Sequence, residues 1–262
     1  MLVALLRRTA IAAIILGMPS AFAQNADPAL IDDLVAANRI LYREGVVDGF
    51  GHVSARHDKD PNRFLLARSM APGLVTAADI MVFDLDGNAI EDGRTAYLER
   101  FIHSEIYKVQ PAVTAVVHSH SPAVVPFGVV RTPLRPIFHL SSFLAAGVPV
   151  FEIREAGGLA TDMLIRSREL GAALARTVGN APVALLRGHG NVVLGGSLRE
   201  VVFRAVYTEV NARLEAEAMR IGGGDIGAIV FLNDEEAKNA TETNRAQMSR
   251  AWNLWKARAL AR

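Results

Sequence analysis

A short β-branched run at residues 113–117 leads directly into His118-Ser119-His120. Its length and composition predict a buried strand, and side chains at positions i and i+2 of a strand point to the same face. Both imidazoles are therefore expected to converge on one point at the end of that strand. Neutral imidazole is the commonest metal ligand in proteins, and such a pair supplies half of a tetrahedral site. Taken alone, the pair is equally compatible with histidines that form hydrogen bonds at a protein surface.

Two further segments carry residues that can complete a metal site. His189 follows another short apolar run, residues 183–186, and lies between two glycines, which let the backbone turn sharply and approach a ligand closely. Glu99 lies four residues before His103, and apolar residues at helical spacing predict that the two side chains share a helix face. Each segment also has a simpler interpretation, as a histidine in a tight turn and as a pair of residues at a helix surface.

Composition limits the classes of protein that this chain can represent. The 262 residues carry a formal net charge of +1, and basic and acidic residues are interspersed. This pattern offers no basic surface for DNA or RNA, so we expect no binding to nucleic acid. The chain has no cysteine, which excludes disulfides and thiolate chemistry. Any metal ion must therefore be held by nitrogen and oxygen atoms.

The first 23 residues have the organisation of a cleavable export signal. Two arginines, Arg7 and Arg8, precede an apolar stretch over residues 9–17, and Ala21-Phe22-Ala23 has the Ala-x-Ala pattern of a cleavage site. The apolar stretch is too short for a comfortable membrane span. We expect residues 1–23 to be a signal peptide that directs the protein to a bacterial periplasm, without membrane attachment after cleavage. Residues 24–262 are expected to form a single domain.

Helix signals occur at both ends of this predicted domain. Asp27-Pro28 combines an N-cap with a proline in the first turn and predicts a helix. Ser197 and Glu200 form a capping box, and the helix that they begin is predicted to run to about residue 221. A last helix is predicted over about residues 234–260. It is largely polar with two tryptophans near its end, which makes it a candidate to dock on another subunit.

The remaining elements are predicted to be short strands with some helices. Strand patterns occur at residues 53–56, 64–66, 80–83 and 148–153, Asp86-Gly87 has the composition of a hairpin turn, and a helix is predicted over about residues 161–176. Strands and helices alternate without an internal repeat or a clear linker. The pattern predicts one mixed α/β domain.

The order and spacing of the histidines and the glutamate resemble the class II aldolase and adducin family over about residues 34–218. Members of that family hold a divalent metal ion with a His-x-His pair, a later histidine in a His-Gly turn, and a glutamate near the start of the helix before the pair. The matching positions here are His118, His120, His189 and Glu99. The resemblance implies a three-layer α/β/α sandwich with a largely antiparallel central sheet, and a homotetramer with active sites at subunit interfaces.

Several ions and roles are compatible with this ligand set. Three histidines and a carboxylate suit zinc, whereas manganese or cobalt fits the same donors, and decarboxylases of the family are associated with manganese. Glu99 is expected to be the catalytic acid and base, or a fourth ligand in the resting enzyme. His103 is expected either to orient Glu99 or to be structural.

Segments that grip phosphate in the sugar-phosphate aldolases of the family are altered in this chain. Their Gly-Asn-x-Ser turn reads Gly51-His52-Val53-Ser54, a later turn begins Arg68-Ser69, and Tyr97-Leu98 replaces two serines before the glutamate. A phosphate needs several donors, whereas a planar carboxylate is matched by one bidentate arginine. We therefore expect Arg68, with His52 or Ser69, to bind a substrate carboxylate.

A second departure concerns the proton donor of the aldolases. Their His-Tyr pair reads His139-Leu140 here, so the tyrosine is missing, and His139 either replaces it in binding the substrate or is structural. The segment 97–103, with Arg68-Ser69 upstream, resembles the decarboxylase branch and is similar to hydroxymethylpyridine-dicarboxylate decarboxylase.

The resemblance implies a metal-dependent carbon–carbon lyase that decarboxylates a small hydroxylated aromatic or heteroaromatic carboxylate. One alternative is an aldolase or epimerase acting on a sugar or sugar phosphate. Another is a non-catalytic metal-binding protein or an adducin-like interaction protein.

Overall fold

A computed structural model describes residues 25–261 of the chain. The predicted signal peptide lies outside the described residues, and export to a periplasm stays a prediction. Within residues 25–261, no helix combines the length and the apolar character that a membrane crossing requires.

The centre of the described region is a seven-stranded sheet in the order β3-β2-β1-β4-β7-β6-β5. All neighbouring strands pair antiparallel except β5 and β6, which are parallel. The predicted, largely antiparallel sheet is therefore confirmed. The strands are β1 (His52–Arg56), β2 (Arg63–Ala67), β3 (Ile80–Asp84), β4 (Ala115–Ser119), β5 (Val150–Phe151), β6 (Val183–Leu186) and β7 (Gly190–Gly195).

Helices cover both faces of the sheet and produce the three layers expected from the resemblance. One apolar cluster joins the sheet to the first and the two longest helices, and a second cluster joins the opposite face to the three shorter helices. The helices are α1 (Pro28–Arg43), α2 (Phe101–Val109), α3 (Ile153–Gly157), α4 (Arg168–Val178), α5 (Leu198–Ile221) and α6 (Asp234–Leu260).

Strand alternation decides which side chains face each layer. In β4, Ala115 and Val117 belong to the cluster beneath α1, α5 and α6, whereas Val116 belongs to the cluster beneath α2 and α4. His118 follows the parity of Val116 and so faces the layer of α2. The neighbouring strand pairs His52 with His118 in register. Two imidazoles therefore lie side by side on the α2 face of the sheet.

Two element boundaries differ from the sequence prediction. The strand predicted at residues 148–153 is limited to Val150–Phe151, because helix α3 begins at Ile153 with the Glu152 side chain accepting a hydrogen bond from the Arg154 N–H. The helix predicted over residues 161–176 begins only at Arg168, where the Ser167 hydroxyl caps the Leu170 N–H. A side-chain cap fixes the start of each helix, and the weaker apolar periodicity before it does not extend the helix.

Helix α6 packs against its own chain. Trp252 and Trp255 are 2% and 7% exposed and belong to the same apolar cluster as α1 and α5, and Lys256 forms an ion pair with Asp33 of α1. The tryptophans that made α6 a candidate for docking on another subunit are therefore buried within one chain. The sequence shows that this face is apolar but cannot show which surface covers it.

We predict that Trp252→Ala lowers the free energy of unfolding by about 3–5 kcal/mol, because truncating a buried aromatic side chain leaves a cavity in the core. Equilibrium denaturation in urea, followed by circular dichroism, measures this loss. Leu254→Ala on the same helix is the control, since Leu254 is 57% exposed and its truncation is expected to cost no more than about 0.5 kcal/mol. Equal losses in the two variants would contradict the packing of α6 described here.

Candidate metal centre and active-site cavity

Four side chains converge beyond the end of β4. The Nε2 atom of His120 lies 3.2 Å from Nε2 of His118 and 3.0 Å from Nε2 of His189. The Oε2 atom of Glu99 lies 3.4 Å from Nε2 of His118 and 3.6 Å from Nε2 of His189. One donor atom of each residue lies within 4.8 Å of the other three. The structure thus brings together all four residues that the sequence assigned to a metal site.

The spacing of these atoms fits a divalent metal ion. Four ligands placed about 2.0–2.1 Å from a tetrahedral ion lie roughly 3.3 Å from one another, and the nitrogen and oxygen atoms here are separated by 3.0–3.6 Å. Nδ1 of His118 lies 3.1 Å from the backbone oxygen of Asn191. Donation of its proton to that oxygen leaves the lone pair on Nε2, the arrangement in which histidine binds a metal.

Charge and protonation favour the same interpretation. Burial would raise the pKa of Glu99, but the imidazoles of His118 and His189 and the hydrogen bond from the Ile165 N–H lower it to about 2. Burial lowers the pKa of His189 to about 4 and also lowers the pKa of His120. At neutral pH the cluster therefore offers the carboxylate of Glu99 and the neutral imidazoles of His120 and His189, which are the ligand forms that metals bind.

Glu99 reaches the histidines from a turn that precedes helix α2. The helix begins at Phe101, and Glu99 lies in a short 3₁₀ turn at Leu98–Arg100 with φ −91° and ψ 20°. Its Oε1 accepts a hydrogen bond of 2.9 Å from the Ile165 N–H, which leaves Oε2 facing the imidazoles. Glu99 and His103 do not share one helix as predicted, because Glu99 lies in the bend before α2 and His103 lies within α2.

A glycine allows the third histidine to approach. His189 lies in the turn between β6 and β7, and the following Gly190 is so close to β4 that a Cβ atom there would lie 2.0 Å from the Ser119 oxygen. No larger residue fits without moving the strands apart. The sharp turn that the flanking glycines predict thus corresponds to a close backbone contact that holds His189 beside the His118-His120 pair.

The cluster opens on a cavity of about 310 Å³. Most of its wall is apolar or aromatic, and none of the described residues that line it is a lysine or an arginine. Phe50 and Leu98, which are 70% and 58% exposed, belong to this wall. The lining residues are Gly49, Phe50, Gly51, His52, Ser69, Met70, Ala71, Tyr97, Leu98, Glu99, His120 and Leu164.

Of the four predicted substrate-binding residues, two line this cavity. His52 is buried, with its ring centroid 5.1 Å from that of His118, and Ser69 is exposed on the same wall. Arg68 is not part of the lining, and its Nε donates to Asp79 over 2.7 Å. His139 is exposed at the start of a 3₁₀ segment, where its backbone oxygen accepts from Asn244 of α6. Substrate contacts of Arg68 and His139 stay predictions.

Several polar residues around the cavity were not predicted from the sequence as site residues. Tyr97 lines the wall, with its ring centroid 4.5 Å from that of His52 and its hydroxyl donating to the Met70 oxygen. Ser54 and Tyr107 form buried hydrogen bonds behind His52. Strand alternation places Ser54 on the face of His52, but the contact with Tyr107 depends on how α2 packs on the sheet, which no local pattern reveals.

Comparison with known proteins assigns the fold to a family. The family model for the class II aldolase and adducin N-terminal domain matches residues 32–216. The chain belongs to the class II aldolase and adducin family. It is 22% identical to the solved structure of an L-fuculose 1-phosphate aldolase from Glaciozyma antarctica, with a TM-score of 0.70 over 87% of this chain and 89% of that one.

Two curated relatives of this family member are decarboxylases. The chain is 37% identical to decarboxylase tropJ of Talaromyces stipitatus, over 84% of this chain and 90% of the relative. It is 33% identical to a 3,4-dihydroxyphthalate decarboxylase of Arthrobacter keyseri, over 72% of this chain and 79% of the relative. The chain is accordingly an enzyme of the lyase class, and the resemblance to the decarboxylase branch is confirmed.

We predict that the double variant His118→Ala, His120→Ala loses tight binding of a divalent ion, because only two of the four donors remain. Metal content after reconstitution with zinc and dialysis, measured by mass spectrometry, tests this outcome. His139→Ala is the control, since this exposed histidine lies outside the cluster and its loss leaves the metal content unchanged. Retention of one zinc ion per chain by the double variant would refute the assignment of the site.

Proposed function

We propose that this chain is a metal-dependent decarboxylase that acts on a small hydroxylated aromatic or heteroaromatic carboxylate. The observation that carries the proposal is the position of Glu99 and His120, which belong both to the four-residue cluster and to the wall of the cavity. A substrate in this cavity lies directly against the candidate metal centre. The similarity to two decarboxylases supports the reaction type.

The character of the cavity wall favours a flat, largely apolar substrate. Aromatic and aliphatic side chains form most of the wall, among them Phe50, Met70, Tyr97, Leu98 and Leu164. Such a surface suits an aromatic ring. A phosphate dianion needs several donors or cations around its oxygens, and none of the described lining residues is a lysine or an arginine. This difference favours a decarboxylase over an aldolase or epimerase of sugar phosphates.

The donor set is suited to zinc or manganese, with cobalt also compatible. When bound, such an ion supplies a Lewis acid that stabilises negative charge on a substrate oxygen next to the bond that breaks. In the resting enzyme, His118, His120, His189 and Glu99 would hold the ion, and the hydrogen bond between Nδ1 of His118 and the Asn191 oxygen keeps the first of these rings in place.

Glu99 is suited to move the proton. Its carboxylate is ionised and lies at the cavity wall, where it would accept the proton of a substrate hydroxyl made more acidic by the bound ion. The carbon–carbon bond to the carboxylate then breaks, carbon dioxide leaves, and the electron pair of that bond stays on the ring carbon. Glu99 returns its proton to this carbon, so it acts first as a base and then as an acid.

A homo-oligomer, tetrameric by family resemblance, completes the proposal. The exposure of Phe50 and Leu98 at the cavity supports a site that a neighbouring subunit covers, because large apolar side chains gain free energy when water is excluded from them. Light scattering coupled to gel filtration measures the assembly. We expect a mass near four chains, and a monomer would contradict this part of the proposal.

We predict that Glu99→Gln reduces decarboxylation at least about a thousandfold, since general acid and base catalysis typically contributes about 10²–10⁴-fold and a ligand is weakened at the same time. Release of carbon dioxide from zinc- or manganese-loaded enzyme is measured with a panel of hydroxylated benzene and pyridine carboxylates and, separately, sugar phosphates. Glu105→Gln is the control, because Glu105 is a buried carboxylate of α2 that pairs with Lys108.

Other outcomes of this screen decide between the candidate functions. Full activity of Glu99→Gln would remove Glu99 from the reaction. Release of an aldehyde from a sugar phosphate would establish the aldolase alternative in place of the decarboxylase. An adducin-like or purely metal-binding role predicts no turnover of any compound, and the presence of all four donor residues in one cluster argues against it.

A further inference from the structure

Behind the cavity wall lies a network of four hydrogen-bonded side chains that the proposed reaction does not use. Nδ1 of His52 lies 2.6 Å from Nε2 of His103, and Nδ1 of His103 lies 2.6 Å from the Ser54 hydroxyl. That hydroxyl lies 2.7 Å from the Tyr107 hydroxyl. The four residues are between 0% and 4% exposed. Because buried polar groups are costly unless they are paired, each hydrogen bond of this network must join one donor to one acceptor.

The direction in which protons are donated along the network is set at Tyr107, the end farthest from His52. Burial raises the pKa of Tyr107 above its ordinary value, so the phenol keeps its proton. Among the described residues, the Ser54 hydroxyl is the hydrogen-bond partner of this buried phenol. A buried phenol that keeps its proton must donate it to an acceptor, so the Tyr107 proton goes to the Ser54 oxygen.

The donation by Tyr107 then fixes the positions of the protons on Ser54, His103 and His52. Ser54 accepts from Tyr107 and donates its hydroxyl proton to Nδ1 of His103. Burial lowers the pKa of His103 to about 3, so this ring is neutral and carries one proton, which must be on Nε2 because Nδ1 is an acceptor. His103 then donates from Nε2 to Nδ1 of His52. The proton of a neutral His52 ring is consequently on Nε2, the nitrogen that remains for the cavity.

We propose that Tyr107, Ser54 and His103 fix the proton of His52 on Nε2 and so make His52 a hydrogen-bond donor for the carboxylate of the substrate. The identity of this ligand rests on the proposed decarboxylase function, whereas the position of the proton does not. His52 is the residue that touches the substrate. Tyr107, Ser54 and His103 are positioning residues that act through it.

A neutral donor suits a carboxylate that is about to leave. Carbon dioxide departs uncharged, so a cation against the carboxylate would stabilise the substrate more than the transition state and would slow the reaction. An imidazole N–H orients the carboxylate with less of this penalty, and the Ser69 hydroxyl on the same wall adds a second neutral donor. Arg68, the cation expected in this role, instead donates to Asp79. The wall is therefore consistent with recognition by neutral donors.

The variant Tyr107→Phe isolates the positioning role. It removes only the hydroxyl, and the ring keeps its contacts with Phe64, at 5.5 Å between centroids, and with the Arg56 guanidinium, at 4.7 Å. Ser54 is then free to donate or accept in either direction, and the proton of His52 is no longer confined to Nε2. The matched control is Tyr207→Phe, because Tyr207 packs among Phe203 and Trp255 and is not part of the hydrogen-bonded network.

The position of the proton is measured directly by ¹⁵N NMR of histidine-labelled protein, with the His52 signals assigned by their loss in His52→Asn. We expect the protonated nitrogen of wild-type His52 to be Nε2, and a mixture of both tautomers in Tyr107→Phe. A proton on Nδ1 in the wild type, or an unchanged tautomer in Tyr107→Phe, would overturn the proposal. This readout does not depend on turnover.

The consequence for binding is measured by calorimetry on the zinc-loaded full chain with two probes, 2,3-dihydroxybenzoate and catechol, which differ only in the carboxylate. The measured preference is the ratio of the dissociation constants of catechol and 2,3-dihydroxybenzoate. We expect this ratio to be the same in the wild type and Tyr207→Phe. In Tyr107→Phe we expect it to be about tenfold smaller, which is the value of one hydrogen bond to a charged group. An unchanged preference in Tyr107→Phe would overturn the proposed role in carboxylate binding. An absence of carbon dioxide release from any compound would refute the decarboxylase function while the tautomer result stood.

Discussion

The antiparallel register of β1, β4 and β7 is the constraint on which the site depends. This register sets His52 beside His118 and places Asn191 opposite Ser119. The Asn191 backbone oxygen then accepts from His118, and the turn before β7 brings in His189. Because side chains alternate along a strand, a slip of one residue in β1 would send His52 to the opposite face, and the same slip in β4 would send His118 there. Backbone pairing thus brings the histidines together, and Glu99 joins them from the turn before α2, where the Ile165 N–H holds its carboxylate.

The same register explains how much of the site the sequence predicts. His118 and His120 are recognisable because alternation is a local property, and His189 because glycines beside it indicate a sharp turn. Their encounter with Glu99 is not local, and it was inferred from resemblance to a family. The bend at Glu99 escaped prediction, since apolar periodicity continues smoothly into α2 while the backbone adopts φ −91° and ψ 20°.

Contacts between distant elements account for what the sequence did not predict. The hydrogen bond between Ser54 and Tyr107 joins a strand to a helix 53 residues away, and the burial of Trp252 depends on α6 folding back onto α1 and α5. In both cases the residue type is visible in the sequence but the partner is not. The ion pair of Arg68 with Asp79 belongs to the same class, because a charged side chain does not reveal which opposite charge it will meet.

The charges of the four-residue cluster and of the cavity wall suit the proposed decarboxylation. An ionised Glu99 and the neutral imidazoles of His120 and His189 are in the forms that bind a metal ion, and the described residues of the cavity wall include no lysine or arginine. In the proposed reaction, the ion would be the one positive charge at the wall itself, next to the oxygen on which negative charge develops. The leaving carboxylate would then contact neutral groups of the wall. This separation is what a decarboxylase requires, since stabilising the charge of the transition state accelerates the reaction and stabilising the substrate does not.

We propose that Glu99, His118, His120 and His189 bind one catalytic metal ion. Anomalous diffraction from crystals of the manganese- or zinc-loaded protein, recorded at the absorption edge of the metal, is the most direct test. We expect a single strong peak per chain, about 2.0–2.2 Å from Nε2 of each histidine and from a Glu99 oxygen. A peak bound by other residues, or no peak at this cluster in metal-loaded crystals, would contradict it.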